Sequence, residues 1–222
     1  IDWDIDNDGR ADALTDGLLF LRFTFGLSGS SLINGLISDG SEFTSASDIE
    51  RELKSIYDAS GDIDGDGNID ALTDGLLLLR YLFGLSGESL TSGVVASGAV
   101  RTDGSSIGSY IGTLMPEAPY ITLNGNAELN HEQATSYVDA GATAADFKDG
   151  SVTVTVTGSV DADEAGVYTL TYSATDSDGN IAKPMTRTIT VADTVGPVIT
   201  LNGETSMEIN QDSDFSDPGA TA

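Results

Sequence analysis

Cysteine is absent from the 222 residues, so neither disulfides nor thiolate chemistry can contribute. Basic residues are scarce. Nine lysines and arginines stand against 36 acids, leaving a formal net charge of −27. Sequence-independent binding to nucleic acid needs a basic surface, so that class is excluded. Anionic membrane surfaces are disfavoured for the same reason. Histidine occurs once, at His131 beside Glu132, where it reads as a surface residue and supports no Ser/His/Asp set. No apolar run reaches the roughly eighteen residues of a membrane span, so membrane insertion is not expected. No signal peptide is expected within this stretch. The chain opens on Ile1 without methionine and reads as a piece of a longer polypeptide. Paired carboxylates for glycoside hydrolysis need a cleft, which the small folds inferred below do not suggest. No catalytic residue is predicted, and the chain is not expected to be an enzyme.

What is abundant is aspartate, and its spacing is ordered. One stretch reads Asp4-Ile5-Asp6-Asn7-Asp8-Gly9-Arg10-Ala11-Asp12-Ala13-Leu14-Thr15-Asp16. Another reads Asp62-Ile63-Asp64-Gly65-Asp66-Gly67-Asn68-Ile69-Asp70-Ala71-Leu72-Thr73-Asp74. Hard cations such as calcium take six to eight oxygens, and carboxylates at alternate loop positions supply them, with a glycine at the sixth position for the turn. Two matched copies argue against a chance acidic turn. Ten of the acids lie in these loops, so most of the negative charge lies elsewhere, on a surface suited to a salty medium where repulsion is screened.

The loops belong to a longer repeat. Asp4 recurs as Asp62, Gly26 as Gly84 and Ser47 as Ser105, each 58 residues on. Each copy reads as loop, helix, connector and second helix. The first helices are expected from Ala13 to Phe25 and from Ala71 to Phe83. Leu72, Leu76, Leu79 and Phe83 form one stripe, and Leu77, Leu78 and Leu82 widen it, so the helix should be largely buried. Gly26 and Gly84 sit where a left-handed cap is expected. Gly17 and Gly75, inside the helices, are expected to allow close helix approach about a pseudo-twofold axis. Ser47-Asp48-Ile49-Glu50 reads as a capping box opening the second helix of the first copy. Ile49, Leu53 and Ile56, matched by Ile107, Ile111 and Leu114, give its buried face. Trp3 is expected to pack against the helices rather than to stack on sugars.

Past Pro116-Glu117-Ala118-Pro119 the period changes to two. Val152, Val154 and Val156 alternate with threonines, as do Tyr168, Leu170 and Tyr172, and then Ile189 and Val191; such runs between glycine and aspartate turns predict a β-sandwich. Asp176, Asp178 and Asn180 read as a polar hairpin turn, with half a cation loop as the alternative. Glu117, Asp139 and Asp193 read as linker polarity. A second copy then begins. Pro197-Val198-Ile199-Thr200-Leu201-Asn202-Gly203 repeats Pro119-Tyr120-Ile121-Thr122-Leu123-Asn124-Gly125, and Asp217-Pro218-Gly219-Ala220-Thr221-Ala222 repeats Asp139-Ala140-Gly141-Ala142-Thr143-Ala144. A partial sandwich cannot close a core alone, so this tail is expected to fold back on the first sandwich or to pack on a neighbouring chain.

The two loops, over Asp4 to Leu27 and Asp62 to Leu85, resemble dockerin-type calcium repeats, EF-hand loops that lack the entering helix. The resemblance implies two calcium ions, an extracellular or cell-surface setting and a compact all-α module over 1–115. It implies ligands at Asp4, Asp6, Asp8 and Asp62, Asp64, Asp66, backbone carbonyls at Arg10 and Asn68, and Asp12 and Asp70 at position nine. The family's closing acid falls at position twelve, here Thr15 and Thr73. Asp16 and Asp74, one residue later, are expected to close the sites. Ile-Thr-Leu-Asn-Gly, Asp-Ala-Gly-Ala-Thr-Ala, Ala-Gly-Val-Tyr-Thr-Leu-Thr-Tyr and Ala-Thr-Asp-Ser-Asp-Gly-Asn resemble bacterial Ig-like domains. They imply an all-β Ig-like sandwich over 116–193 and the start of a second over 194–222. The multidomain chain is therefore expected to be a calcium-stabilised, non-catalytic structural or adhesive segment of a large extracellular bacterial protein. Its partner would be another protein, either other copies of itself or a cohesin-like domain. The alternatives are a docking module for such a cohesin-like partner, and an accessory region of a secreted polysaccharide-degrading enzyme with glycan binding.

Overall fold

A π-helical turn opens each of the two leucine-rich helices, and it arises from a single residue of sequence. The first turn spans Ala13–Gly17 and runs into α1, Leu18–Thr24; the second spans Ala71–Gly75 and runs into α4, Leu76–Leu82. A computed structural model describes residues 1–38 and 40–222. Between these helices lie α2, Ser30–Ile33, and α3, Ala46–Ser60, and after them α5, Glu88–Thr91, and α6, Gly104–Gly112. The strands follow: β1 Tyr120–Leu123, β2 Glu128–Glu132, β3 Ala142–Asp146, β4 Gly150–Val152, β5 Val154–Thr157, β6 Gly166–Ala174, β7 Met185–Ala192, β8 Thr200–Leu201 and β9 Ala220–Thr221.

The helices share one core built from repeat-related pairs. Ile5 and Ile63, Leu19 and Leu77, Leu32 and Leu90, and Ile49 and Ile107 are all fully buried in it. Trp3 is also fully buried, donates Nε1–H to the Ile111 carbonyl and meets Phe20 edge-on, which confirms its packing role. The glycine expectation holds reciprocally. An added Cβ at Gly17 would lie 3.0 Å from Leu79 Cδ1, and one at Gly75 would lie 2.7 Å from Leu21 Cδ1. Leu21 and Leu79 are themselves repeat partners, so each helix enters the notch left by the other's glycine. Gly26 and Gly84 adopt φ of 80° and 81°, and the Leu27 and Leu85 amides donate back to the Arg22 and Arg80 carbonyls, closing each helix in a left-handed cap.

Two helical expectations need correction. Leu72 and Phe83 are 64% and 55% exposed, and the buried face of α4 is Leu77 and Leu78. The π turn accommodates one extra residue, so a regular α period drawn from Leu72 points to the wrong side. The capping box lies two residues earlier than Ser47. Ser45 is extended, its Oγ accepts from the Asp48 amide, and α3 starts at Ala46. Its repeat partner Asp103 caps α6 in the same way.

The strands form sheets ordered β1-β3-β4 and β2-β7-β6-β5, with β2 parallel to β7. The valine-threonine run is two strands rather than one. It breaks at Thr153, and β4 and β5 join different sheets. Alternation is clearest in β6, where Leu170, Tyr172 and Ala174 are buried, and in β7, where Arg187, Ile189 and Val191 are. Fully buried Arg187 pairs with Asp139 and donates Nε–H to the Asn126 carbonyl. Asp139 is thus an internal ion-pair partner rather than linker polarity. The chain forms two compact units. One holds 1–124, 140–156 and 171–185; the other holds 125–139, 157–170 and 186–222.

The tail is β-structured but does not fold back as expected. β8 pairs with β9 through Thr200↔Thr221 and Leu201↔Ala220, the register of Thr122↔Thr143 and Leu123↔Ala142 in β1 and β3. Every residue from Asp193 onward is exposed. The pairing depends only on the local repeat, and no opposing sheet covers its apolar side chains.

Candidate metal centre

Each loop is wound around its own carboxylates. In the first, Asp4 accepts from the amides of Asp8 and Gly9 at 3.0 and 2.8 Å, and Asp8 accepts from Arg10 at 2.9 Å. In the second, Asp62 accepts from Asp66 and Gly67 at 3.1 and 3.0 Å, and Asp66 accepts from Asn68 at 2.8 Å. Gly9 and Gly67, with φ of 100° and 91°, make the sharp turn that these bonds require.

The π turns carry Asp16 and Asp74 back to their loops. Asp16 Oδ1 accepts from the Ile5 amide at 2.7 Å, and its Oδ2 accepts from Asp12 at 2.8 Å. Asp74 reproduces both bonds, to Ile63 and Asp70, at the same distances. Both acids are fully buried. The extra residue that places aspartate one position late is absorbed by the wider π turn, so the carboxylate still reaches the loop.

Carboxylate oxygens of Asp4, Asp6 and Asp8 lie within 4.8 Å of one another, as do those of Asp62, Asp64 and Asp74. Among the described residues no ion pair reaches any of these six acids or Asp16. Burial drives the Asp4 carboxyl up to about 7, and the neighbouring Asp8 and Asp6 charges add to the shift. Burial also raises Asp8 and Asp74, and it raises Asp16 well above the ordinary carboxylate range. Buried acids without a partner cation are unfavourable. An all-oxygen donor set of this kind fits a hard divalent cation.

Other predicted positions are placed differently. Asp12 caps the first π turn through the amides of Leu14 and Thr15 and pairs with Arg10 at 2.6 Å, whereas Asp70 is exposed and makes no side-chain cap. Asp176 accepts from the amides of Asp178 and Asn180 and closes a polar turn, as expected. His131 is bonded at the surface to Thr135.

Sequence reasoning missed the hydroxyls. Ser38 Oγ donates to Asp6 and Asp8 at 3.0 and 2.7 Å, and Ser41 Oγ donates to Asp6. Their repeat partners are Ala96 and Ala99, so the difference was visible in the aligned copies. In the second loop the Ala96 amide donates to Asp64 instead, and Arg101 donates to the Asp62 and Ile63 carbonyls.

Residues 121–191 match the family described as Bacterial surface protein, Ig-like domain. The match supports the Ig-like reading of that stretch and a cell-surface or extracellular setting. Among the described residues no helix is long and apolar enough to cross a membrane. No curated protein matches the chain. One similar solved structure is a lipoprotein from Bacteroides thetaiotaomicron, at 31% identity over 36% of this chain with a TM-score of 0.32. Another holds CBM51-2, in complex with GlcNAc, and INT domains from Clostridium perfringens ZmpB, at 27% identity over 39% of this chain with a TM-score of 0.29. A further ZmpB structure, with its catalytic domain and two CBM51 domains, gives 26% identity over 41% of this chain and a TM-score of 0.28. The chain spans 40%, 21% and 11% of the lengths of those three proteins.

Proposed function

We propose that this chain is a calcium-stabilised, non-catalytic structural or adhesive segment of a large extracellular bacterial protein, with a dockerin-like helical module leading into Ig-like domains. The observation that carries the reading is the two carboxylate clusters, Asp4 with Asp6 and Asp8, and Asp62 with Asp64 and Asp74, together with buried Asp16 and Asp74 each bonded back to its own loop. Asp4, Asp6, Asp8 and Asp16 would hold one ion, and Asp62, Asp64, Asp66 and Asp74 the other. Bound calcium supplies the positive charge these acids lack, and so joins the loop to the start of its helix. The Ig-like family match supports the surface setting. Titrating the chelator-stripped chain with calcium in a calorimeter tests the reading. Two ions should bind, with dissociation constants on the order of 0.1 to 1 mM. An absence of binding heat and of bound metal overturns it.

A second reading, docking onto a cohesin-like partner, is favoured by one observation. Leu14 and Leu72, equivalent in the repeat, are 65% and 64% exposed beside the two loops. Large apolar side chains held in solvent at symmetry-related places suit a protein partner. Capture by an immobilised cohesin, lost in the double variant Leu14→Asp/Leu72→Asp, supports this reading; a failure to bind removes it.

A further inference from the structure

The two loops are alike in their carboxylates and unlike in what holds them from outside. Lys183, in the segment between β6 and β7, donates from Nζ to the carbonyls of Asn7 at 3.0 Å and Gly40 at 3.1 Å. An added Cβ at Gly9 would lie 3.6 Å from Lys183 Cβ, so the lysine stem lies along the turn of the first loop. The Arg10 guanidinium sits 5.6 Å from the centre of the Tyr120 ring in β1 while pairing with Asp12. Three parts of the loop, Asn7, Gly9 and Arg10, are therefore gripped by residues of the strand region. All of these residues lie in the same compact unit.

At the repeat-related positions of the second loop this grip is missing. Nothing would meet an added Cβ at Gly67 within 4 Å. Asn68 is exposed, and its side chain turns back to Asp66.

The grip is placed to follow the path of the first loop. Lys183 holds backbone carbonyls, so it depends on the path of the loop rather than on one side chain. The Gly40 carbonyl is tied to the carboxylates by its neighbours, since Ser38 bonds Asp6 and Asp8 and Ser41 bonds Asp6. A line of contacts runs from the carboxylate cluster through Ser41 to its neighbour Gly40 and on to Lys183. In the second loop alanines occupy both serine positions. Clustered like charges without a counter-ion repel one another, and a loop that opens to relieve this repulsion carries the Asn7 and Gly40 carbonyls away from Lys183.

We infer that the first loop is the joint between the helical module and the Ig-like strands, stiff when it holds its cation and loose when it does not, whereas the second loop only stabilises the helices. This inference rests on the calcium reading above and adds to it a division of labour between the two sites.

The absence of cysteine makes spin labelling clean. Labels at Ser89→Cys and Ser151→Cys, both exposed and both in the same unit, report the distance across the joint by pulsed electron resonance on the full chain. A single narrow distance peak is expected in calcium and its loss in chelator. Asp6→Asn should lose the narrow peak in calcium, whereas Asp64→Asn should keep it, each binding one ion fewer by calorimetry. Lys183→Met should lose the narrow peak while still binding two ions; this variant keeps the test decisive if Asp6→Asn does not fold. A narrow peak in Lys183→Met with two ions bound overturns the joint and leaves the calcium reading intact. Equal broadening in Asp6→Asn and Asp64→Asn overturns the division of labour. A parent chain that binds no ion overturns the calcium reading itself and takes this inference with it.

Discussion

At the scale of single residues, the account rests on buried acids that have no cation of their own. With chelator present, the Asp4 carboxyl is raised to about 7 in the folded chain from an ordinary value of 3.8. Between those values the folded state binds more protons than the unfolded state. This contribution to stability is therefore full at low pH and is lost as pH rises from about 4 to about 7. With saturating calcium the Asp4 carboxyl is deprotonated in the folded chain, as it is in the unfolded chain above about pH 4, so its contribution no longer changes with pH across the same window. Melting curves at pH 5 and pH 7, with saturating calcium and with chelator, check this: stability should fall with pH in chelator and hold nearly level in calcium, and equal falls in both conditions contradict it. Substitution separates the closing ligand from its neighbour. Asp74→Ala removes the acceptor for the Ile63, Asp64 and Asp70 amides, whereas Thr73 contributes one hydroxyl bond to Asp74 itself. Calcium affinity at the second site should fall much more in Asp74→Ala than in Thr73→Ala, and the reverse order shows that the closing ligand is misplaced. Alternate aspartates and a shared glycine were legible in the sequence because ligand spacing within a loop is local. Ser38, Ser41 and Lys183 were not, because each meets the loop across a distance in sequence that no spacing rule encodes.

At the scale of elements, the π turn places residues where an α period does not. It carries Asp16 and Asp74 back to their loops, and it turns Leu72 outward where an α period put it inward. The apolar face of α3, Ile49 with Leu53 and Ile56, crosses no such turn, follows the pattern and is buried. The glycine notches make a quantitative prediction. Gly75→Ile gains a few tenths of a kcal/mol in helix propensity. It must also fit its branches where an added Cβ already lies 2.7 Å from Leu21 Cδ1. Overpacking of this kind typically costs about 1 to 3 kcal/mol, so the variant should be destabilised on balance. Leu72→Ala, at an exposed position, should change stability by about 0.5 kcal/mol or less. Thermal unfolding of the pair checks the sign, and a stabilised Gly75→Ile contradicts the packing of one helix into the other. In the strand region the alternation of β6 and β7 was readable from period two. The break at Thr153 was not, because a chain changing sheets keeps its alternation. Arg187 is neutralised inside by Asp139, a pairing across 48 residues that alternation alone does not show.

At the scale of the molecule, two kinds of repeat meet in one strongly acidic chain. The helical pair closes on itself around a shared core, so its halves depend on each other. The strand-region sequence repeat is serial, and its second copy contributes only the β8–β9 pair, with every residue exposed. Deleting residues 197–222 should therefore leave the melting temperature of the remainder unchanged; a clear drop shows packing that the present account does not contain. Mass in solution before and after the deletion tests whether the tail joins copies of the chain, and loss of an oligomer on deletion is the result that supports the structural role. On the calcium reading proposed above, cations hold the helical module together. The most direct test is thermal unfolding of the full chain by far-ultraviolet circular dichroism, in saturating calcium and in chelator. At a hundredfold excess over the dissociation constant each site adds about 2.7 kcal/mol, so the helical transition should shift to markedly higher temperature in calcium. Superimposable helical transitions in calcium and in chelator contradict the account.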